Sequence, residues 1–218
     1  MNSVVCSALF LSVPPPCGER DDRAGCDVEL CGYATRIMEA THLIHLGARA
    51  GLVCQLTQLK KATVNRLYRQ FHGVPSPPGQ MPFTDSWYRE SDVRMLQATL
   101  VWRLHRRLSQ TRRSAARLLI DVFEAYIQLV REPLLNLTRT VFVPRLVAMK
   151  TWHESVCEFC GMTYLSAVDS NSIACPGCRL YHRHRCSQCG SPLAPQPKGR
   201  RRVVCGDCGN TDNGGIRH

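Results

Sequence analysis

The chain has 218 residues, 28 Lys and Arg against 17 Asp and Glu, and 13 cysteines, a size that accommodates one or two small domains and excludes a large multidomain enzyme. No apolar run approaches the roughly 20 residues of a membrane-spanning helix, so a soluble cytoplasmic protein without membrane contacts is expected. The odd cysteine number, with CxxC pairs late in the chain, argues against a complete disulfide framework and for metal ligation in a reducing compartment.

Charge is unevenly spread. Residues 1–40 carry net −3, residues 41–150 net +11 and residues 151–218 net +3, and 24 of the 28 basic residues are Arg. A basic middle section suits a polyanion, because each neutralised phosphate releases condensed counterion. Arg presents a planar fork that fits phosphate and guanine edges, although genomic composition bias explains an Arg preference equally well.

Residues 1–27 mix Pro, Gly, Asp and Arg without periodicity and read as a disordered leader. The apolar run at residues 4–13 has no basic residue before it and ends in three prolines, which does not fit a cleaved secretory signal. From residue 28 the pattern is helical, with Ile37, Leu43, Ile44 and Leu46 in a stripe that breaks at Gly47, and a short helix follows over residues 48–55.

After a turn at residues 56–58, Val64, Leu67, Tyr68 and Phe71 recur at i, i+3, i+4 and i+7 and mark the core face of a helix over residues 59–71. Its other side carries Ala62, Asn65, Arg66 and Arg69. The lengths are those of a helix-turn-helix, whose second helix reads the major groove. Asn65, Arg66 and Arg69 are then candidates for base edges, and Lys60 and Lys61 for phosphate at the helix start. An amphipathic helix also turns such a face to solvent, so spacing by itself leaves groove reading and solvation open.

The proline-rich stretch at residues 73–83 must be an extended connection. Beyond it Leu96, Leu100 and Leu104 mark one helix, RRLSQTRR at residues 106–113 forms a basic connection, and Leu119, Val122, Phe123, Tyr126, Ile127 and Val130 mark a second, strongly amphipathic helix. A last helix is expected over residues 134–149, kinked or ended early by Pro144.

From Cys157 the chain reads CEFC, CPGC, CSQC and CGDC, four CxxC units that repeat after 29 residues. In a CxxC turn two sulfurs converge on one point, which supplies half of a tetrahedral zinc site. Gly161, Gly190 and Gly209 follow the second cysteine of three units, where a positive φ would relieve the bend. Zinc-ribbon spacing groups Cys157, Cys160, Cys175 and Cys178 in one site and Cys186, Cys189, Cys205 and Cys208 in another. A closure of Cys175 and Cys178 on Cys186 and Cys189 competes, across a cramped seven-residue hairpin containing His182 and His184. Four sulfurs leave no open coordination position, so the zinc is expected to be structural. No nucleophile elbow, phosphate-binding glycine loop or HExxH is found, and neither an enzyme nor a small-molecule substrate is expected. Between the last two units, KGRRR at residues 198–202 places Arg200, Arg201 and Arg202 on an arm that serves either as an added phosphate clamp or as a solvated loop.

Taken together, HLIHLGARAGLVCQLTQL, the helix KKATVNRLYRQFHG, the loop VPSPPGQMPF with its DSW continuation, LLNLTRTVF, and CEFC with CPGC closely resemble the flagellar transcriptional regulator family FlhC over residues 35–180. The resemblance implies a mostly helical chain with a zinc-binding C-terminal part, zinc on Cys157, Cys160, Cys175 and Cys178, and assembly with FlhD into a hetero-oligomer that activates flagellar operons. Double-stranded promoter DNA and RNA polymerase are the further partners it implies. The longer leader, Pro144 and the second pair of CxxC units depart from the family pattern. The expected organisation is mainly α: a leader at 1–27, a helical DNA- and partner-binding domain with a helix-turn-helix-like segment at 28–150, a first zinc ribbon at 151–180, and a second ribbon with tail at 181–218. The competing function is a zinc-stabilised adaptor whose basic surface meets an acidic protein and never reads DNA.

Overall fold

The computed structural model describes residues 27–78, 84–183, 185–193 and 204–209. Residues 1–26 of the expected leader, 79–83 of the proline-rich connection, His184 and the 198–202 segment lie outside the described residues. The elements in chain order are α1 (Val28–His45), α2 (Ala50–Thr57), α3 (Lys61–His72), α4 (Ser86–Arg89), α5 (Asp92–Leu108), α6 (Ala115–Leu129), α7 (Leu137–Ala148), β1 (Trp152–Val156), β2 (Thr163–Ala167), α8 (Pro176–His182) and α9 (Gly206–Gly209). The fold is mainly helical, and the two strands form one antiparallel hairpin with Trp152 opposite Ala167 and Val156 opposite Thr163. Two compact units share the chain: residues 1–79 with 114–120, and residues 80–113 with 121–218.

In the first unit, Asp27 caps α1 by accepting from the N–H groups of Glu29 (2.9 Å) and Leu30 (3.1 Å). Gly47 ends the helix at φ 85°, with Ala48 N–H bonded to the Leu43 carbonyl and Gly47 N–H to that of Ile44, the Schellman pattern that a positive φ permits. Helix α2 packs on α1 and α3. It runs to Thr57, so the turn falls at residues 58–60 and not at 56–58. Gln58 adopts the left-handed conformation at φ 57° and its side-chain amide donates to the Gln55 carbonyl at 2.7 Å, a local bond that sequence periodicity does not register. On α3 the buried residues are Val64 and Tyr68. The Tyr68 hydroxyl donates to the Ala48 carbonyl, tying α3 to the turn after α1. Phe71, expected in the core, is 43% exposed and packs edge-on against His45, because α3 is in its last turn there and Gly73 ends it.

The second unit is assembled around α5, which packs on α4, α7, β2 and α8. The Leu96, Leu100 and Leu104 stripe is not its buried face. Met95, Ala98 and Val101 are buried instead, with Gln97 and Thr99, while Leu96 is 41% exposed. The structure buries two polar residues on α5 because both are hydrogen-bonded. Thr99 donates to the Met95 carbonyl and accepts from Leu165 N–H in β2 (3.2 Å). The Gln97 amide donates to the Glu132 carbonyl (2.9 Å), and its oxygen accepts from Leu134 N–H (2.8 Å) and from the Tyr126 hydroxyl.

That network moves the start of α7. Residues 134–136, expected to be helical, lie before the helix, since the N–H groups of Leu134 and Leu135 bond the Tyr126 hydroxyl at 3.0 Å and the extended Asn136 then caps the helix by accepting from Arg139 N–H. Pro144 sits inside α7 and does not end it. An interior proline costs about 3 kcal/mol. Burial of Leu137, Val141, Phe142, Val143 and Leu146, each worth roughly 1.5–3 kcal/mol, outweighs that.

Tyr126→Phe keeps the ring packing and removes the hydroxyl that serves two backbone N–H groups and Gln97. A loss of about 1–3 kcal/mol in urea-denaturation stability is expected, and an unchanged midpoint would show that the network contributes nothing.

Candidate metal centres and the basic helix

The first cysteine cluster combines two kinds of turn. Cys157 and Cys160 lie on a tight turn after β1, closed by Gly161 N–H to the Cys157 carbonyl (2.9 Å) and Cys157 N–H to that of Met162 (3.0 Å), with Gly161 at φ 69°. Cys175 and Cys178 lie at the start of α8. There the Cys175 sulfur takes the capping position and accepts from Cys178 N–H, while Pro176 occupies the first turn where no N–H is needed. The four sulfurs lie within 4.8 Å of one another, with 3.7 Å between Cys157 and Cys178 and between Cys160 and Cys175. A tetrahedron with zinc–sulfur bonds of about 2.3 Å has edges of about 3.8 Å. The donor set therefore fits a thiophilic divalent cation.

Burial raises the Cys157 thiol pKa, but the N–H groups of Cys175, Cys160 and Phe159 outweigh it and hold the thiol down at about 6. Cys178 moves the other way, first because of its hydrogen bond with Cys160. A ready thiolate beside thiols that resist ionisation is the electrostatic setting that a cation relieves.

The second cluster repeats the plan. Cys186 and Cys189 lie on a turn closed by Gly190 N–H to the Cys186 carbonyl (3.0 Å) and Cys186 N–H to that of Ser191 (2.8 Å), with Gly190 at φ 73°. Cys205 and Cys208 flank the start of α9, and Cys208 N–H points at the Cys205 sulfur. Gly209, expected to bend at positive φ, is the last residue of α9 instead, because this half of the cluster is a helix start and not a second tight turn. All four sulfurs again lie within 4.8 Å, with Cys189 and Cys205 at 3.6 Å. The N–H groups of Cys189 and Cys205 bring the Cys186 thiol to about 6, and Cys208 is pushed up to about 12, chiefly by Cys189. The structure thus gathers the eight cysteines as two groups of four that could hold metal ions, without the crossed grouping. His182 meets Tyr181 edge-on and Phe159 at a tilt, and belongs to neither group.

Sequence spacing missed what anchors the first cluster. Tyr164 packs on it, and Arg179, one residue past Cys178, donates to Asp92 on α5 (2.8 Å), to Ser172 (2.7 Å) and to the Ala174 carbonyl (2.8 Å). An Arg directly after a CxxC pair is the available signal, but its carboxylate partner is 87 residues away, beyond any periodicity.

On α3, Lys60 occupies the capping position, and Lys61, Arg66 and Arg69 are exposed, with Asn65 half-buried beside them. Arg66 and Arg69 pair with no carboxylate among the described residues. The four face positions 62, 65, 66 and 69 thus share one side of the helix that follows the 58–60 turn. Arg200, Arg201 and Arg202 lie outside the described residues.

Residues 29–202 match the family described as flagellar transcriptional activator (FlhC). Among curated relatives, the flagellar transcriptional regulator FlhC of Serratia marcescens is 26% identical over 175 residues, 75% of this chain and 90% of that protein. That of Xenorhabdus nematophila is 26% identical over 173 residues, 75% and 87% of the two chains. That of Enterobacter cloacae is 23% identical over 163 residues, 68% and 85%.

Arg179→Gln removes the link from α8 to α5. Loss of charge-assisted bonds predicts about 1.5–3 kcal/mol lower stability, read as a drop in thermal midpoint, with Asp92→Asn showing a smaller drop in the same direction.

Proposed function

The chain belongs to the FlhC family of flagellar transcriptional activators, and on that premise we propose that it activates flagellar operons by binding promoter DNA, as a zinc-containing hetero-oligomer with an FlhD-type subunit that works with RNA polymerase. The family is one of transcriptional regulators and not of enzymes. A four-sulfur shell, which has no coordination position left for an activated water, agrees with that.

The observation that carries DNA binding is the α2–α3 pair. A short helix, a three-residue turn and a second helix present Asn65, Arg66 and Arg69 on one side, with Lys60 and Lys61 at the helix start. Arg or Asn placed bidentate on a base edge discriminates by about 1–3 kcal/mol, whereas a phosphate contact is sequence-blind. The partner reading draws support from α1, where Val28, Leu30, Tyr33 and Met38 are 42–80% exposed, an apolar surface suited to a second protein. No described helix is long and apolar enough to cross a membrane.

Zinc is the metal that four thiolates at these spacings select. Cys157, Cys160, Cys175 and Cys178 would hold one ion, and Cys186, Cys189, Cys205 and Cys208 the other. Such sites provide apparent binding energy on the order of 10 kcal/mol or more, which the short segments around them need in order to fold.

Two measurements test the reading. Arg69→Ala should narrow the gap between promoter and random duplex, and Lys61→Ala should weaken both alike. Equal losses on both duplexes in both variants would return α3 to a structural or partner-binding role and favour the adaptor function. Elemental analysis should find two zinc ions per chain, with one lost in Cys157→Ser and the other in Cys186→Ser; a single ion that Cys186→Ser retains would leave the second cluster without metal.

A further inference from the structure

The second unit carries a basic surface that the α3 reading does not use. Arg103, Arg106 and Arg107 fall three and four residues apart on the C-terminal half of α5, so their side chains are neighbours on one flank. Arg112 and Arg113 follow in the connection to α6. Two of these five charges are already taken. Arg106 bonds both Glu154 oxygens, at 2.5 and 2.7 Å, and Arg113 pairs with Asp121. Burial works against the charge on Glu154, but hydrogen bonds from Trp102 and Arg106 outweigh it and keep the carboxyl below its usual range, so this acid stays committed to Arg106. Arg103, Arg107 and Arg112 are exposed and pair with no carboxylate among the described residues.

A helix C-terminus favours cations in its last turn, which accounts for Arg107 but not for Arg103, one turn further in. Arg103 instead lines a groove of about 300 Å³ with Trp102 and Arg106 of α5 and with Gly161 and Met162 of the first cysteine turn and Thr163 at the start of β2. Met162 is the only exposed large apolar residue of that lining, and protein interfaces draw their energy from apolar anchors. The groove offers guanidinium groups and hydroxyls, the chemistry of phosphate recognition, and the carboxylate in its lining, Glu154, is held by Arg106.

We propose that Arg103, Arg107 and Arg112 form a phosphate clamp that takes the sugar–phosphate backbone of duplex DNA at the mouth of this groove, beside the first cysteine cluster. The clamp rests on the DNA-binding reading and adds a sequence-blind contact from the second unit to the base reading assigned to α3. Arg106 is a positioning residue whose guanidinium is fixed by Glu154. The first cysteine turn lines the same groove, so the metal site serves DNA binding by holding that lining in place.

The test uses the full-length, metal-loaded protein in complex with its FlhD-type subunit and two duplexes of equal length, a flagellar promoter and its scrambled sequence, titrated from about 50 to 200 mM salt. In R103Q/R107Q the slope of log K against log salt should fall by about 2, at about 0.9 per phosphate, and both duplexes should weaken in parallel. R103K/R107K keeps the charge and should recover most of the slope. R112Q, which lies outside any helix and cannot unfold one, should lower the slope by about 1. An unchanged slope in R103Q/R107Q with wild-type helicity would overturn the clamp and leave the DNA-binding reading standing. Loss of promoter preference in that variant would overturn it by assigning the arginines to base reading, and loss of a co-purifying subunit at unchanged slope by assigning them to a protein interface. Wild-type protein that binds neither duplex would overturn the clamp and the DNA-binding reading together.

Discussion

The second unit depends on α5 side chains to close hydrogen bonds that its short elements cannot close among themselves. A two-stranded hairpin is marginal in water by itself, and β1–β2 is attached to α5 at Thr99–Leu165, Trp102–Glu154 and Arg106–Glu154. Asp92 at the start of the helix takes Arg179 from α8, and Gln97 in the middle takes the segment between α6 and α7. One helix thus fixes the hairpin, the first cysteine cluster and the start of α7. An unpaired buried polar group costs about 1–3 kcal/mol, so the buried Gln97 and Thr99 are confined to partners that this arrangement provides.

The two cysteine clusters repeat a local plan in different surroundings. The first has Cys157 and Cys175 buried against Tyr164, whose hydroxyl bonds the Ser172 carbonyl, and it gains Arg179 as a tie to α5. In the second, Cys186 is buried while Cys189 is exposed, and the bonds within it include Arg185 to the Gly190 carbonyl, Cys205 N–H to the Cys186 sulfur, and the Arg185–Pro192 bridge. With so little apolar burial of its own, the second cluster has little beyond its four sulfurs and local hydrogen bonds to organise it.

Much of this was legible in the sequence, and the failures share a cause. CxxC spacing located all eight sulfurs because chelation is a local demand, and Gly47 marked the end of α1 because a left-handed residue is a local demand too. Periodicity failed on α5. It favoured the leucines, but α5 packs on four elements and buries Met95, Ala98 and Val101 together with two hydrogen-bonded polar residues, a choice set by partners distant in sequence. The non-helical segment before α7 was missed for the same reason, since Tyr126 and Gln97 decide it from outside. Pro144 was overweighted because its cost is visible in the sequence while the burial that offsets it is not. Arg179 was passed over because its role appears only once Asp92 stands beside it.

The excess of arginine also resolves into kinds that composition merges. The guanidinium groups of Arg94 and Arg139 lie over the Trp87 ring at 4.3 and 3.6 Å, a packing role for the guanidinium plane. Arg89, Arg106, Arg113 and Arg179 are held by carboxylates, and Arg94 also pairs with Glu90 at 2.6 Å. Neutralised or stacked groups of this kind add little to the field a polyanion meets, because each is already compensated by a near neighbour or turned against a ring. What remains uncompensated among the described arginines includes Arg66 and Arg69 on α3 and Arg103, Arg107 and Arg112 in the second unit. Net charge overstates the basic surface that is free to meet a polyanion, and among the described residues the arginines without carboxylate partners mark where that surface lies.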